Sequence, residues 1–355
     1  MMKKQLIILL LAITISSCME KKYEWSTSVS APTEYPVVIQ RGFMGKSFFG
    51  PSCINSSWGT GIEVSKKDFF DVPDTFEITW LSLVERKFFK GKWNLPKEEI
   101  KQYLENGFEY KNKKIDCKKI QIGLGPKGVV VIWLSGDSKM QIEIGRYQAT
   151  QIILDSTDVY NSSKFMFEKD FIDKKLTDPK FISPDVKESI REYGYPSPSS
   201  YNIYREKYIW EPQIILPHGC TISEITVKMC NGEYETATSS LYSDKRSVPY
   251  LFKIKWKDKE GYEFISRIVF IEDKEYGQTY ISKQKEEMPL NFNKNLILNQ
   301  FKEKVQKNLP AKIVVKISNE SVAELYLEQE DKVYPITEFI QETKKVLNKK
   351  HCICK

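Results

Sequence analysis

The stretch Ile120-Gln121-Ile122-Gly123-Leu124, Gly125-Pro126-Lys127-Gly128, Val129-Val130-Val131-Ile132-Trp133-Leu134 decides the fold. Alternating apolar residues, a turn of glycine and proline, then a second apolar run make a β-hairpin. Gly123, Gly125 and Gly128 also spell a dinucleotide fingerprint. That motif works only where a helix follows, because the helix N-terminus holds the pyrophosphate. Here a strand follows, so residues 126–128 read as a turn in which glycine supplies positive φ.

The hairpin recurs. Ile313-x-Val315-x-Ile317 and residues 322–327 align to it without a gap, placing Tyr326 against Trp133. Further upstream, Phe76-Glu77-Ile78-Thr79-Trp80 and Phe252-Lys253-Ile254-Lys255-Trp256 share their apolar letters at alternating positions. Each half then carries an amphipathic helix. Ile100, Tyr103, Leu104 and Phe108 follow Pro96 and meet Gly107, while Leu298, Phe301 and Val305 run to Pro310. Tyr23-Glu24-Trp25 and Tyr208-Ile209-Trp210 open the halves alike, and residues 221–229 with Asn231-Gly232 form a strand and turn.

These matches predict an α+β fold of two tandem related units, mostly antiparallel sheet with a packed helix in each. The expected boundaries are a leader at 1–17, a first unit at 18–167, a proline- and serine-containing linker at 168–200 and a second unit at 201–355. A short helix is expected at 185–193. A final amphipathic helix is expected from Ile336, Phe339, Ile340, Val346 and Leu347.

Residues 1–18 read as an export signal. Lys3 and Lys4 precede an apolar run at 6–15 that is too short to span a bilayer, followed by Ser16, Ser17 and Cys18. Ile15-Ser16-Ser17-Cys18 matches a lipobox, which predicts that Cys18 carries a lipid and becomes the mature N-terminus. Several acyl chains, at about 0.8 kcal/mol per buried methylene, suffice to anchor a protein without a transmembrane helix. Met19 and Glu20 follow the anchor with no aspartate, which points to the outer membrane of a bacterial cell envelope.

Charge and cysteine content exclude other classes. Removing Lys3 and Lys4 with the leader reduces the positive excess from seven to five, and lysines alternate with acids throughout, so no nucleic-acid partner is expected. Cys220 and Cys230 flank one straight strand, whose ends would lie about 30 Å apart, too far for a disulfide. The tail His351-Cys352-Ile353-Cys354 lacks a fourth ligand, so no metal and no cofactor are expected.

Several of these segments together carry a resemblance: Glu24-Trp25, Arg41-Gly42, Ser57-Trp58-Gly59, residues 80–85, Leu95-Pro96, and Gly123 through Trp133. The chain resembles the bacterial lipoprotein family catalogued as domain of unknown function 2931, most densely over 25–147. The resemblance implies a lipid anchor and a shared fold. It implies no activity.

A search for catalytic chemistry yields little. Gly45-Lys46-Ser47 ends like a phosphate loop, but Gln40 stands where the first glycine is required. The two histidines, His218 and His351, leave a serine or cysteine nucleophile without an evident base. Glu85 is the best single candidate for carboxylate chemistry, although an acid at a strand end is more often a surface ion-pair partner. Trp58 reads as an exposed loop tryptophan and Arg41 as a contact residue beside Gly42, whereas Trp80, Trp133 and Trp256 read as core. The expectation is therefore a lipid-anchored, non-enzymatic binding protein that meets an envelope protein or glycan through Trp58, Arg41 and Glu85. Shielding against a delivered toxin would be one form of it. The alternative is a carboxylate-based hydrolase of envelope glycans.

Overall fold

The computed structural model describes residues 21–110, 113–238, 241, 243–271, 274–290, 292, 295–318 and 322–346. The leader, Cys18, Leu347 and the tail at 351–354 lie outside these residues. The fold is mixed α/β and strand-rich. Strands β1 (Tyr23–Ser30), β2 (Val37–Met44), β3 (Ser47–Phe49), β4 (Ser52–Ile54), β5 (Ile62–Glu63), β6 (Asp68–Phe70), β7 (Thr75–Ser82) and β8 (Lys87–Asn94) precede helix α1 (Lys97–Asn106). Then come β9 (Phe108–Tyr110), β10 (Lys113–Ile115), β11 (Lys119–Leu124), β12 (Val129–Gly136), β13 (Met140–Gln148) and β14 (Thr150–Ile152). Helices α2 (Phe171–Thr177), α3 (Pro184–Tyr193) and α4 (Ser200–Ile203) lead into β15 (Lys207–Ile215), β16 (Thr221–Met229), β17 (Tyr234–Ala237), β18 (Asp244–Ser247), β19 (Pro249–Lys257) and β20 (Glu263–Val269). Helices α5 (Lys274–Ser282) and α6 (Leu296–Lys304) precede β21 (Ala311–Ile317), β22 (Ala323–Gln329), β23 (Lys332–Ile336) and β24 (Ile340–Lys345).

The first half packs two layers face to face. β1 runs parallel to β11, which continues antiparallel into β12 and β13, and the facing layer is built on β2, β7 and β8. Val29, Ile122 and Ile132 from one layer meet Ile39, Ile78 and Trp80 from the other in a common core. The second half has the same pairing: β15 is parallel to β21 and antiparallel β22 follows, opposite β16, β19 and β20.

Several registers correspond between the halves. Ile120 pairs with Leu134 as Ile313 pairs with Leu327. Trp80 stacks on its cross-strand partner Phe89 with centroids 5.5 Å apart, and Trp256 stacks on Phe264 at 4.6 Å. A bulge lies between Ile39 and Arg41, and another between Ile222 and Glu224, where Ile39 pairs with Trp80 and Ile222 with Trp256.

The two layer systems are fused. β17 pairs with both β13 and β16, so an 11-stranded sheet runs from β24 through β20, β19 and β16 of the second half into β13, β12, β11 and β1 of the first.

Some sequence expectations need correction. The final amphipathic helix is absent from the described residues: Ile336 ends β23 and Ile340 opens β24, whose backbone pairs with the free edge of β20. Neighbouring hydrogen-bond donors and acceptors outweigh a helical spacing of apolar residues. Trp58 is also not exposed, as described below. The stretch 168–200, expected as a linker, is packed: Phe171 joins Val38, Leu81 and Leu83 in a small core, and Val186 of α3 is buried. Its prolines help to start structure, since Pro184 stands in the first turn of α3, where a missing N–H costs nothing.

Candidate functional site

Trp58, Arg41 and Glu85 share no partner among the described residues. Trp58 is 4% exposed and lies edge-on to Trp133 and Tyr201, with centroids 5.2 and 4.9 Å away. A Cβ on Gly123 would stand 3.0 Å from the Trp58 ring and 2.5 Å from Trp133, so glycine there lets both indoles approach the β11 backbone. Gly59 is equally close to Gly232, whose Cα would lie 2.7 Å from an added Cβ. Ser57-Trp58-Gly59, Gly123 and Trp133, distant in sequence, thus meet at the seam between the halves.

Arg41 follows the β2 bulge with its guanidinium 4.0 Å from Glu77, and its Nε has no acceptor among the described residues. Gly42 beside it is required by packing, because an added Cβ would lie 2.1 Å from the Phe49 ring. Glu85 accepts the Lys127 backbone N–H at 3.0 and 3.1 Å and the Ser82 hydroxyl at 2.8 Å. Lys127 has φ 55°, and the carboxylate pins the β11–β12 turn in that conformation. Both oxygens of Glu85 are thus engaged in holding a turn.

Polar groups tie the halves together. The Gln141 side-chain amide donates to the Gly59 and Gly232 carbonyls at 2.8 and 2.6 Å. Glu233 accepts the Glu143 backbone N–H at 3.0 Å and pairs with Lys207 at 2.8 Å, while Arg205 pairs with Glu143. Burial pushes the Glu143 carboxyl up despite that arginine. Glu224 bridges Lys139 of the first half and Lys255 of the second, at 2.8 and 2.7 Å.

A cleft of about 550 Å³ lies between α3, α5 and the segment before α6. Its floor is apolar and aromatic, formed by Phe270, Ile271, Tyr276, Leu290 and Phe292. Its rim carries Asp185, Glu188 and Glu192 from α3 and Glu275 and Lys283 from α5 and the residues after it, with Glu188 paired to Arg191 at 2.8 Å. The acids lie on α3 because Asp185, Glu188 and Glu192 recur at helical spacing on one face. Lys285 reaches Asp185 at 2.9 Å and joins the two walls. Burial alone would raise the Asp185 carboxyl, but hydrogen bonds from Ser183 and Lys285 hold it below its ordinary value. Burial likewise lifts the Tyr276 hydroxyl above the usual phenol range. Trp58 lines a separate small void together with Pro289 and Phe292, two residues that also line the cleft.

Behind α5, Glu286 sits on three cations that project from adjacent strands: Lys228 at 3.1 Å, Lys253 at 2.7 Å and Arg267 at 3.2 Å. Burial would raise its carboxyl, yet the lysines bring it to about 2. This clamp holds the segment after α5 against the sheet and so fixes one end of the cleft.

Sequence reading missed the cleft. Its walls come from segments about 100 residues apart, and α3 falls in the stretch expected to be a linker. The spacing of Asp185, Glu188 and Glu192 was the available signal.

A protein family described as a protein of unknown function, DUF2931, matches residues 12–198. The chain belongs to the DUF2931 family. No curated protein matches it. The DUF2931 match contains Trp58, Gly123, Trp133 and α3, hence one wall of the cleft; the α5 wall lies beyond it.

Proposed function

We propose that this DUF2931 protein is a bacterial envelope lipoprotein, anchored through Cys18 at the outer membrane, that works by binding a partner in the α3–α5 cleft. The observation that carries this reading is the cleft itself: an aromatic floor under an acidic rim, with a volume in the range of ligand sites. Such a site suits a cationic segment of a protein partner, whose apolar side chain enters while its lysine or arginine meets the α3 carboxylates. Immunity to a toxin delivered to the periplasm is one form of this function, since it needs only a complementary surface. No helix among the described residues is long and apolar enough to cross a membrane, which is compatible with lipid anchoring. The hydrolase alternative draws no support from Glu85, whose oxygens hold the Lys127 turn.

The tandem organisation is part of the proposal. We infer that residues 18–167 and 201–355 descend from one duplicated unit, with 168–200 between them. The matching parallel pairs, hairpin registers, tryptophan stacks and bulges support it. On this reading the second copy has diverged, and the cleft formed where the connecting segment packed against it.

The test is chemical cross-linking of the lipidated protein in intact cells, with mass spectrometry of what is captured. Thr279→Trp, on the exposed side of α5, fills the cleft, and Glu188→Lys with Glu192→Lys reverses its rim. Loss of a specific cross-linked protein in both variants is the expected result. A partner captured equally by both would place the binding surface elsewhere, and turnover of peptidoglycan abolished by Glu85→Gln would favour the hydrolase.

A further inference from the structure

We propose that Lys228, Lys253 and Arg267 form a second site, for a phosphoryl group, which the side chain of Glu286 occupies in this structure. The three cations stand on one face of the long sheet. Lys253 of β19 lies directly opposite Arg267 of β20, and Lys228 of β16 pairs with Leu251, two residues from Lys253 and on the same side of its strand. Like charges set opposite each other destabilise a sheet, so this arrangement calls for an anion. Among the described residues, Glu286 is the acid that meets all three.

One carboxylate leaves the site short of both charge and acceptors. Oε1 of Glu286 takes Lys253 at 2.7 Å and Arg267 at 3.2 Å, while Oε2 takes Lys228 at 3.1 Å. Nη1 of Arg267 is buried and has no acceptor among the described residues. Neighbouring acids have lysines of their own: Glu287 pairs with Lys285 at 3.8 Å, and Glu342, opposite Arg267 on β24, pairs with Lys344 at 2.9 Å. Three cations thus share one negative charge. Burial accordingly holds the Lys228 ammonium below its ordinary value in spite of Glu286. A phosphoryl group supplies three acceptor oxygens and about two negative charges, and a guanidinium binds it through two parallel hydrogen bonds. It supplies what the carboxylate lacks. Access follows from the order of burial, since the Glu286 side chain is 32% exposed, over Arg267 at 11% and Lys228 at 16%. Glu286 is carried on the short segment after α5 that also brings Lys283, Pro289 and Leu290 to the cleft. A phosphoryl ligand therefore enters by displacing Glu286, and its binding loosens that segment.

The site is separate from the cleft, so its test does not depend on partner capture there. The full-length protein is titrated calorimetrically with inorganic phosphate, against chloride at matched ionic strength. In Glu286→Ala the main-chain carbonyl of residue 286 still accepts from Lys228 at 3.1 Å and from the Tyr250 hydroxyl at 2.9 Å, which keeps the segment in place. That variant should bind phosphate at least about tenfold more tightly than the parent, in which the open form is a minor state. Adding Lys253→Gln should abolish the gain. A folded Glu286→Ala protein that binds phosphate no more tightly than the parent overturns the site. In the parent itself, high phosphate should speed amide hydrogen exchange at residues 285–288. Unchanged exchange there overturns the displacement of Glu286, whether or not the variant folds. Glycerol phosphate titrated alongside separates the sources: tighter binding than inorganic phosphate assigns a phosphoester ligand, and weaker binding assigns the free ion.

Discussion

Trp58 shows how far a residue's neighbours can decide its role. In sequence it sits among Asn55, Ser56, Ser57 and Gly59, the surroundings of a surface loop, yet the fold closes over it with Trp133 and Tyr201. Trp58→Ala should therefore destabilise by about 3–5 kcal/mol, the usual cost of emptying a large aromatic site, read from urea unfolding. An effect below about 0.5 kcal/mol would mean that the ring is not packed as described. Glu286 makes a prediction in pH. Its folded pKa of about 2 lies below its ordinary 4.5, so the carboxylate's contribution is fully present above about pH 4.5 and is lost as pH falls toward 2. Glu286→Gln should be less stable than the parent at pH 7, and the gap should close in unfolding curves taken between pH 4.5 and 2. A gap independent of pH would assign the effect to packing. Glu85→Ala should cost about 0.5–1.5 kcal/mol by removing the acceptor of the Lys127 N–H, which water can then solvate. Partner capture should be unchanged in that variant, which separates a turn clamp from a contact residue.

Among the elements, α5 and β24 were decided by contacts beyond their own sequence. Gly277 lies inside α5, where alanine has the better helix propensity by about 1 kcal/mol. An added Cβ would nevertheless stand 2.4 Å from Ile340 Cγ1 of β24, and overpacking costs about 1–3 kcal/mol. Gly277→Ala should consequently lower the urea midpoint, and an increase would show that β24 is not seated against the helix. The same contact explains why Ile340–Lys345 is a strand. Its apolar spacing fits a helix, but β20 offers an unpaired edge and Ile340 finds its pocket over Gly277. By contrast, α1 and α6 were evident in sequence because each has its own stripe and stop signal, with Gly107 at φ 66° closing α1.

The whole molecule is joined through its seam. Gly232, at φ 90°, would place an added Cβ 2.7 Å from Trp133, and its carbonyl accepts from Gln141. Gly232→Ala should therefore destabilise by about 2–4 kcal/mol, combining overpacking with a positive φ. Because β17 carries one sheet across both halves, tryptophan fluorescence and far-UV circular dichroism should report the same transition in parent and variant. Two separate transitions would show that the halves unfold independently and that the seam contributes little. The cleft lies between the connecting segment and the second half, its α3 wall preceding that half and its α5 wall lying within it.

Sequence by itself determined the hairpins, the alternating core strands, the helices α1, α3 and α6, and the family. All of these arise from local periodicity, or from repetition of it, and need no knowledge of distant neighbours. Only the tertiary structure decided that β1 and β15 run parallel to their partners, that the two halves share one sheet, that Trp58 is buried and that residues 332–336 and 340–345 are strands. The cleft belongs to the same group. Each of these depends on which unpaired edge or apolar face a segment meets after the chain has folded back over many residues, and pairing energy of that kind leaves no periodic mark in the sequence.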